Sequence, residues 1–595
     1  MSMSVELIKT TNQSVAENGR KLSWCLGLAL MLVFLLATAL RIPATQRGFF
    51  FQDEATYLFG VQPGVLTLRE ALGLQHWPRP FSERTPFDSE RAPYFVMSGK
   101  PGYDLIVMLF GSVAGLTPES ISALSLLFGI GTLVILHRMA RRVFDDRIAL
   151  AAIVVLAVSK YHVFYSGSQS PVVMATFFLI WGLSLYLSAF DGPSLGRLAL
   201  AGAMLAYGFG CHYNMLPYVL LVFGVQTVRV VYDRRASSMT GLMVLGLSFL
   251  SVIGVFELFY RIILPVAYSY LSESEAVPAH RQALLHGGYL AQLRWMMGWF
   301  RYTTASGIER FPNLLLDSEG VLVCGLAMLG MIISLRLAFH DGRKAVLLIL
   351  PSAHFVSGIL AGLSLSPVFS RMTVVMLPFV ALWAGVGAIR LATRFAELVG
   401  DRLVGYRAAP IAVSAAMAVV TAVGIPRAWE VANLRSGYQE AAQYVLEHGG
   451  GQEVVLGLAV EQFYLGSFSN TYPLPNSLEA LRELYRKTGV RLLVLDRSVH
   501  SIGEWGHSLV GPALRNMERA QPAEARFANP MATALVVAAE EAMGPQALAQ
   551  ILADPLSKEI RIYDLTKVLG DRSIGLADQG LDASNGRQLT ASQTR

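Results

Sequence analysis

Two adjacent carboxylates, Asp53 and Glu54, stand among four aromatic residues, Phe49, Phe50, Phe51 and Tyr57. Two carboxylates beside four aromatics are costly near a bilayer, which makes the pair a candidate for chemistry. Neighbours at i and i+1 point away from each other on a helix, so the two are expected to do different jobs: one faces a cleft and the other orients a partner or loop. The plainer alternative is a solvated acidic cap on an interfacial helix whose aromatics sit at headgroup level. Further along, Ser98-Gly99-Lys100-Pro101-Gly102-Tyr103 precedes the apolar run Leu105–Ala114, which is too short to cross a bilayer comfortably. An interfacial or re-entrant helix is expected there. It holds Lys100 near the lipid surface, where a snorkelling lysine is also well placed to meet a lipid phosphate.

These residues need elements to position them, and the composition says which. The chain has 595 residues, 53% hydrophobic and only 15% charged, with a mean hydropathy of +0.47, against roughly 25% charged in soluble domains. The fold class expected is mainly α: a polytopic transmembrane helical bundle with a small C-terminal α/β domain. About eleven apolar runs reach spanning length: Trp24–Leu40, Ile121–Leu136, Ile148–Phe164, Val172–Phe190, Leu198–Cys211, Met215–Val231, Leu242–Ile263, Val321–Leu335, Ala345–Leu363, Met372–Ile389 and Ala408–Val423. Basic turns recur at alternate connections, at Arg138–Arg147, Arg234–Arg235, Arg336–Lys344 and Arg390–Arg407, while His162–Pro171 and His212–Asn214 carry no Lys or Arg. The positive-inside rule then puts the N-terminus in the cytoplasm and the C-terminal domain outside. A competing reading of the first span is a cleaved signal peptide, from Arg20, Lys21 and the small-residue pattern Ala37-Thr38-Ala39.

The expected organisation is a cytoplasmic tail (1–23), a transmembrane module (24–425) with outer loops at 41–120 and 264–320, an extracytoplasmic α/β domain (426–569) and a disordered tail (570–595). Strands are expected at Val454–Leu458, Leu492–Leu495, Leu535–Val537 and Ile560–Tyr563, and helices at Tyr438–Glu447 and Leu478–Thr488. Net charge of +6 with no basic stretch interleaved with aromatics argues against nucleic acid. P-loop, HExxH, GxSxG and complete GxGxxG motifs are absent, and the three cysteines lack metal or disulfide spacing. In the outer loops His76, Trp77, Arg79, Arg84 and Arg91 form a polar, aromatic stretch that is either a sugar-lining surface or an ordinary solvated loop. Tyr57, Tyr103, His212 and Tyr213 are further candidate substrate-binding residues, the last two also explained by a span end where an aromatic belt takes the tyrosine and one hydrogen bond satisfies the histidine. Glu257, inside its span, is either a functional group or paired within the bundle, and His354 is expected to be a satisfied core histidine.

Asp53-Glu54 after the first span, Lys100-Pro101 before a short apolar helix, the Arg138–Arg147 turn with Phe144-Asp145-Asp146, and the later Arg371-Met372 and Leu377-Pro378 together resemble the GT-C glycosyltransferases of the protein O-mannosyltransferase and aminoarabinose-transferase type. The resemblance is strongest over about residues 24–200 and rests on the order of the motifs. It implies inverting transfer of a sugar from a polyprenyl-phosphate donor to a lipid, polysaccharide or protein acceptor on the outer face of a bacterial cytoplasmic (inner) membrane. Carried over, Asp53 is the base, Glu54 its neighbour in substrate or loop positioning, and Lys100 and Arg371 neutralise the departing phosphate. One carboxylate suffices, since phosphate leaves without a strong general acid. Several family members carry another acid just before a proline in the next outer loop, where this chain reads Ser168-Gln169-Ser170-Pro171. That departure bears on donor type and on any shared metal; a divalent metal is not supported by a ligand cluster. Partners are the donor, an acceptor and membrane lipids. The competing classes are a polytopic transporter, against which the spans show no paired halves and no broken-helix signature in corresponding positions, and a non-catalytic assembly factor of envelope glycan synthesis.

Overall fold

The computed structural model describes residues 26–49, 52–74, 99–190, 194–234, 236–267, 287–294, 307–363, 370–403, 408–449, 454–456, 471–473, 478–495, 518–519, 521–528 and 559–570. Helix α1 is Leu26–Gln46, ending in a 3-10 turn over Pro43–Gln46. There follow α2 (Gln52–Ala71), α3 (Pro101–Ala114), α4 (Pro118–Val143), α5 (Asp146–Ala157), α6 (Lys160–Ser166), α7 (Val172–Ser188) and α8 (Leu195–Cys211). The second half of the bundle is α9 (Leu216–Asp233), α10 (Ala236–Ala267), α11 (Arg310–Ala338), α12 (Gly342–Leu363), α13 (Ser370–Val374), α14 (Leu377–Leu403) and α15 (Ala408–Ala432).

Among the described residues eight helices are long and apolar enough to cross a membrane: α1, α4, α9, α10, α11, α12, α14 and α15. The α5–α6 pair, bent by 67°, makes a ninth, and α3, α7 and α8 are shorter apolar helices. The eleven apolar runs therefore fall on the eight long helices, the bent pair, α7 and α8. The remaining short helix is α3, the one expected to lie at the interface. Large apolar side chains such as Leu247 and Leu250 on α10 point outward, as a lipid-facing surface requires.

Local chemistry sets the boundaries. Thr117 and Ser120 exchange side-chain to backbone bonds at the start of α4, with Pro118 in the first turn. Asp145 accepts from the amides of Arg147 and Ile148 at 2.9 Å and so starts α5. The run Ile148–Phe164 is not one straight span. It breaks at Val158-Ser159, and the freed carbonyls at the end of α5 find a donor from α1: fully buried Arg41 donates to Leu156 O at 3.1 Å and Ala157 O at 2.9 Å. Its remaining donors reach Ala37 O at 2.9 Å, His162 Nδ1 at 2.8 Å and Ser166 Oγ at 3.3 Å. A cation at a helix C-terminus meets the negative end of the dipole, and interrupted backbone at membrane depth persists only where it is satisfied this way. The same break is clamped from the other side. Ser159 Oγ donates to Glu319 at 2.5 Å, Lys160 pairs with Asp317 at 2.9 Å, and Tyr161 OH donates to Asp317 at 2.6 Å. Glu257 pairs with Arg261 at 2.6 Å and accepts from Leu290 N at 2.9 Å.

Beyond the bundle, α16 (Tyr438–His448) leads to a five-stranded sheet of β1 (Val454–Leu456), β2 (Thr471–Pro473), β3 (Leu492–Leu495), β4 (Ala525–Ala528) and β5 (Glu559–Asp564), with α17 (Leu478–Thr488) before β3 and α18 (Leu565–Gly570) after β5. The order is β2-β1-β3-β5-β4. β1 pairs parallel with β2 and β3, and β5 antiparallel with β3 and β4. Strand β3 is buried along its whole length, as expected for a strand covered on both faces. The expected strand at Leu535–Val537, the tail at 1–23 and the stretch beyond Gly570 lie outside the described residues. Strands β2 and β4 were not expected from the sequence.

Candidate active site

Among the described residues, Glu54, Tyr57, Lys100, Tyr103 and His212 lie on elements that pack together at one end of the bundle, where α2, α3, α6, the 167–171 connection and the turn after α8 meet. Position 53 lies in the first turn of α2, one turn before Tyr57. Glu54, next to it, is buried and ion-paired with Arg47, Nη2 to Oε1 at 2.9 Å. The Arg47 guanidinium also lies 3.9 Å over the Phe164 ring of α6, and its carbonyl accepts from Ser436 N at 3.0 Å and Ser436 Oγ at 3.1 Å. Glu54 therefore ties the start of α2 to the preceding turn, to α6 and to the entry into the C-terminal domain.

Lys100 is buried at the start of α3. Its Nζ donates to Tyr57 OH at 2.5 Å and lies 3.9 Å from that ring's centroid. Tyr57 packs edge-on against Tyr103 at 5.8 Å, and the Tyr103 hydroxyl donates to the carbonyl of Gln169. Two glycines make this arrangement. Gly99 holds φ at 74°, a left-handed turn that brings the chain into Lys100. Gly102 abuts the end of α8: a Cβ there would sit 2.8 Å from Tyr207 O and 2.9 Å from Cys211 N. That close approach brings the start of α3 against the end of α8, which His212 closes.

His212 closes α8 and accepts from Asn214 N at 3.3 Å, with its ring 4.7 Å from Tyr213. Burial first, and then the positive charges of Lys100 and Arg371, hold its imidazole well below the usual value. Two cations more than 250 residues apart in sequence thus act on one neutral histidine. Arg371 is half-buried on α13. That short helix is anchored by Ser370 Oγ to Tyr165 OH at 2.7 Å and by Met372 O to His354 Nε2 at 3.2 Å. His354 also stacks on Tyr218 at 4.9 Å.

In the 167–171 connection Ser170 is buried, its amide donating to Ser168 Oγ at 3.1 Å. Gln169 Nε2 donates to Pro118 O at 2.9 Å and Ser122 Oγ at 2.7 Å. His76, Trp77, Arg79, Arg84 and Arg91 lie outside the described residues. Two participants went unread in the sequence. One is Arg47, whose partner Glu54 is seven residues away. The other is Asp104, buried four residues after Lys100 and accepting from Tyr260 OH at 2.5 Å. The signal for Asp104 was an acid inside an apolar helix. Among the described residues no three His, Cys, Asp or Glu side chains form a metal-ligating group.

Comparison with known proteins follows the same outline. Residues 98–256 match the sequence profile of the family described as dolichyl-phosphate-mannose-protein mannosyltransferase, a stretch that includes Lys100, Asp104, Ser170 and His212 but not Asp53 or Arg371. No curated protein matches the chain by sequence. The chain is similar to the archaeal oligosaccharyltransferase AglB from Archaeoglobus fulgidus, in complex with an inhibitory peptide and a dolichol-phosphate, at TM-score 0.52 and 12% identity, over 81% of this chain and 71% of that one. The same enzyme tethered to an acceptor peptide superposes at TM-score 0.52 and 12% identity, over 80% and 70%. ArnT from Cupriavidus metallidurans bound to undecaprenyl phosphate gives TM-score 0.49 and 14% identity, over 80% and 93%. The chain therefore has the membrane-embedded fold of the GT-C glycosyltransferases and carries, over residues 98–256, the sequence pattern of the dolichyl-phosphate-mannose-protein mannosyltransferase family.

Proposed function

We propose that the protein is a glycosyltransferase that moves a sugar from a polyprenyl-phosphate donor to an acceptor hydroxyl, with inversion, at the outer face of a bacterial cytoplasmic membrane. The observation that carries this reading is buried Lys100, whose Nζ donates to Tyr57 OH on α2 one turn after position 53, while the charges of Lys100 and Arg371 both act on His212. A pair of cations at one end of a membrane bundle suits a lipid-borne phosphate, and AglB, which shares the fold, is seen with dolichol-phosphate.

In the proposed reaction the acceptor oxygen attacks the anomeric carbon while the bond from that carbon to the donor phosphate breaks. The phosphate leaves with the electron pair, and its added charge falls on Lys100 and Arg371. Asp53 takes the acceptor's proton. Glu54, already committed to Arg47, fixes the start of the helix that carries Asp53. His212, kept neutral by its surroundings, donates a hydrogen bond without adding a third positive charge. The acceptor is a hydroxyl of a lipid, polysaccharide or protein, and the C-terminal domain, joined to the site through Ser436 and Arg47, is placed to help dock it.

The test is turnover of a panel of radiolabelled polyprenyl-phosphate sugars by the purified full chain in lipid, with water as the default acceptor. Asp53→Asn should lower release about 100-fold or more while leaving the melting profile unchanged. Wild-type release by that variant would remove Asp53 from the mechanism.

A further inference from the structure

At the opposite end of the bundle, Arg138, Arg141 and Arg142 close the last turns of α4 and line a cavity of about 500 Å³ with Ile135, Trp181 and Ser184. Arg138 lies 20 residues after Pro118, about 30 Å along the helix from the end that carries Lys100. The cavity is therefore separate from the candidate active site.

The charge pattern needs an explanation that the protein itself does not supply. Residues four apart share a helix face, and like charges at that spacing repel. Arg138 and Arg142 have this spacing, with Arg141 between them. Only Arg141 has an acidic partner among the described residues, Asp146 at 2.7 Å. The negative end of the α4 dipole offsets part of one charge, not three. A topological role explains basic residues at this end of a span, but it requires no cavity and no particular neighbours. Here the neighbours are specific. Trp181 on α7 supplies an aromatic face with an N–H at the depth where headgroups meet acyl chains, Ser184 one turn later supplies a hydroxyl, and Ile135 supplies an apolar wall.

We propose that this cavity binds the phosphate of an anionic phospholipid. The phosphate lies between the Arg138 and Arg142 guanidinium groups, which bind phosphate in a bidentate fork. The glycerol backbone reaches Ser184, and the first acyl methylenes cover Ile135 and Trp181. The site holds α4 against α7 at the end away from the chemistry, and it stands independently of the proposed reaction.

Native mass spectrometry of the full chain, extracted from nanodiscs of phosphatidylcholine with a rising fraction of phosphatidylglycerol, reads retained lipid directly. The wild type should keep phosphatidylglycerol in preference to phosphatidylcholine. Arg138→Gln combined with Arg142→Gln should weaken that retention about 25-fold, at about fivefold per basic residue. Both arginines are exposed, so the variant should keep the wild-type melting profile in pure phosphatidylcholine. A control variant, Arg336→Gln with Arg390→Gln, removes two cations from other turns at the same end and should retain the lipid as the wild type does. Unchanged retention in the first variant would overturn the proposal, as would an equal loss in the control. Displacement of the lipid by millimolar inorganic phosphate would overturn it too, because the site would then take free phosphate and not a lipid.

Discussion

Replacing Glu54 with glutamine separates the two adjacent carboxylates by what each change damages. Glu54 and Arg47 are both buried, and their charges lie 2.9 Å apart. At that separation Coulomb's law with an effective dielectric constant of about 20 gives roughly 6 kcal/mol. Breaking a buried pair from one side costs about 3–5 kcal/mol, because the surviving charge is left desolvated. Two features soften the loss in Glu54→Gln. The amide oxygen still accepts from Nη2, and Arg47 keeps the Phe164 face at 3.9 Å, a contact worth up to about 2 kcal/mol when desolvated. The expected cost is therefore near 3 kcal/mol, measured as unfolding free energy by denaturant titration in mixed micelles. Arg47→Met added to Glu54→Gln should restore most of it, since the orphan charge is gone. Asp53→Asn should leave stability alone and remove turnover. A loss under about 1 kcal/mol in Glu54→Gln, or a double variant no better than the single, would refute the reasoning that this pair is the clamp on α2.

Three further outcomes are expected. Gly102→Ala forces a Cβ to within 2.8 Å of backbone at the end of α8; it should cost about 1–3 kcal/mol in the same titration and lower kcat/KM by moving Lys100, whereas Gly224→Ala, with nothing within 4 Å, should be neutral. Lys100→Gln and Arg371→Gln should each weaken donor binding about 10-fold or more, read as a rise in KM or a loss of retained lipid donor, since a charged hydrogen bond contributes about 1.5–3 kcal/mol. In the C-terminal domain, burial alone would raise the Asp564 carboxyl, but hydrogen bonds from Thr566 and Arg491 outweigh it and hold the group below the usual carboxylate range. A depressed folded value contributes stability above the unfolded value of about 3.9 and loses it as pH falls through the folded one. Asp564→Asn should thus be less stable than wild type at pH 7, and the gap in melting temperature should close below about pH 4.

The spans were legible in the sequence because the length of an apolar run is a one-dimensional property, set by bilayer thickness. Pairings across long separations left no such trace. Nothing around Arg41 signals that it will cap Leu156 and Ala157, more than a hundred residues on, so the apolar run Ile148–Phe164 carries no mark of its bend. In the C-terminal domain β3 and β5 were legible as apolar runs. β4, Ala525–Ala528, alternates half-buried and exposed positions and is a strand mainly because β5 pairs with it. In the site, the types and order of Asp53, Lys100 and Arg371 were readable. The action of Lys100 on His212 depends on Gly102 meeting α8, a contact between backbones that side-chain types do not encode.

The anchoring of the site also has a timetable. The carbonyl of Arg47 waits for Ser436, 389 residues later, and Tyr165 waits for Ser370, 205 residues later. At about 5–20 residues per second, roughly 20–80 s of synthesis separate Arg47 from the residue that secures it. Throughout most of that time the growing chain holds Lys100 but not Arg371. A ribosome-bound intermediate therefore has half of the proposed phosphate grip, and the two cations can act on one ligand only after the thirteenth helix has been made.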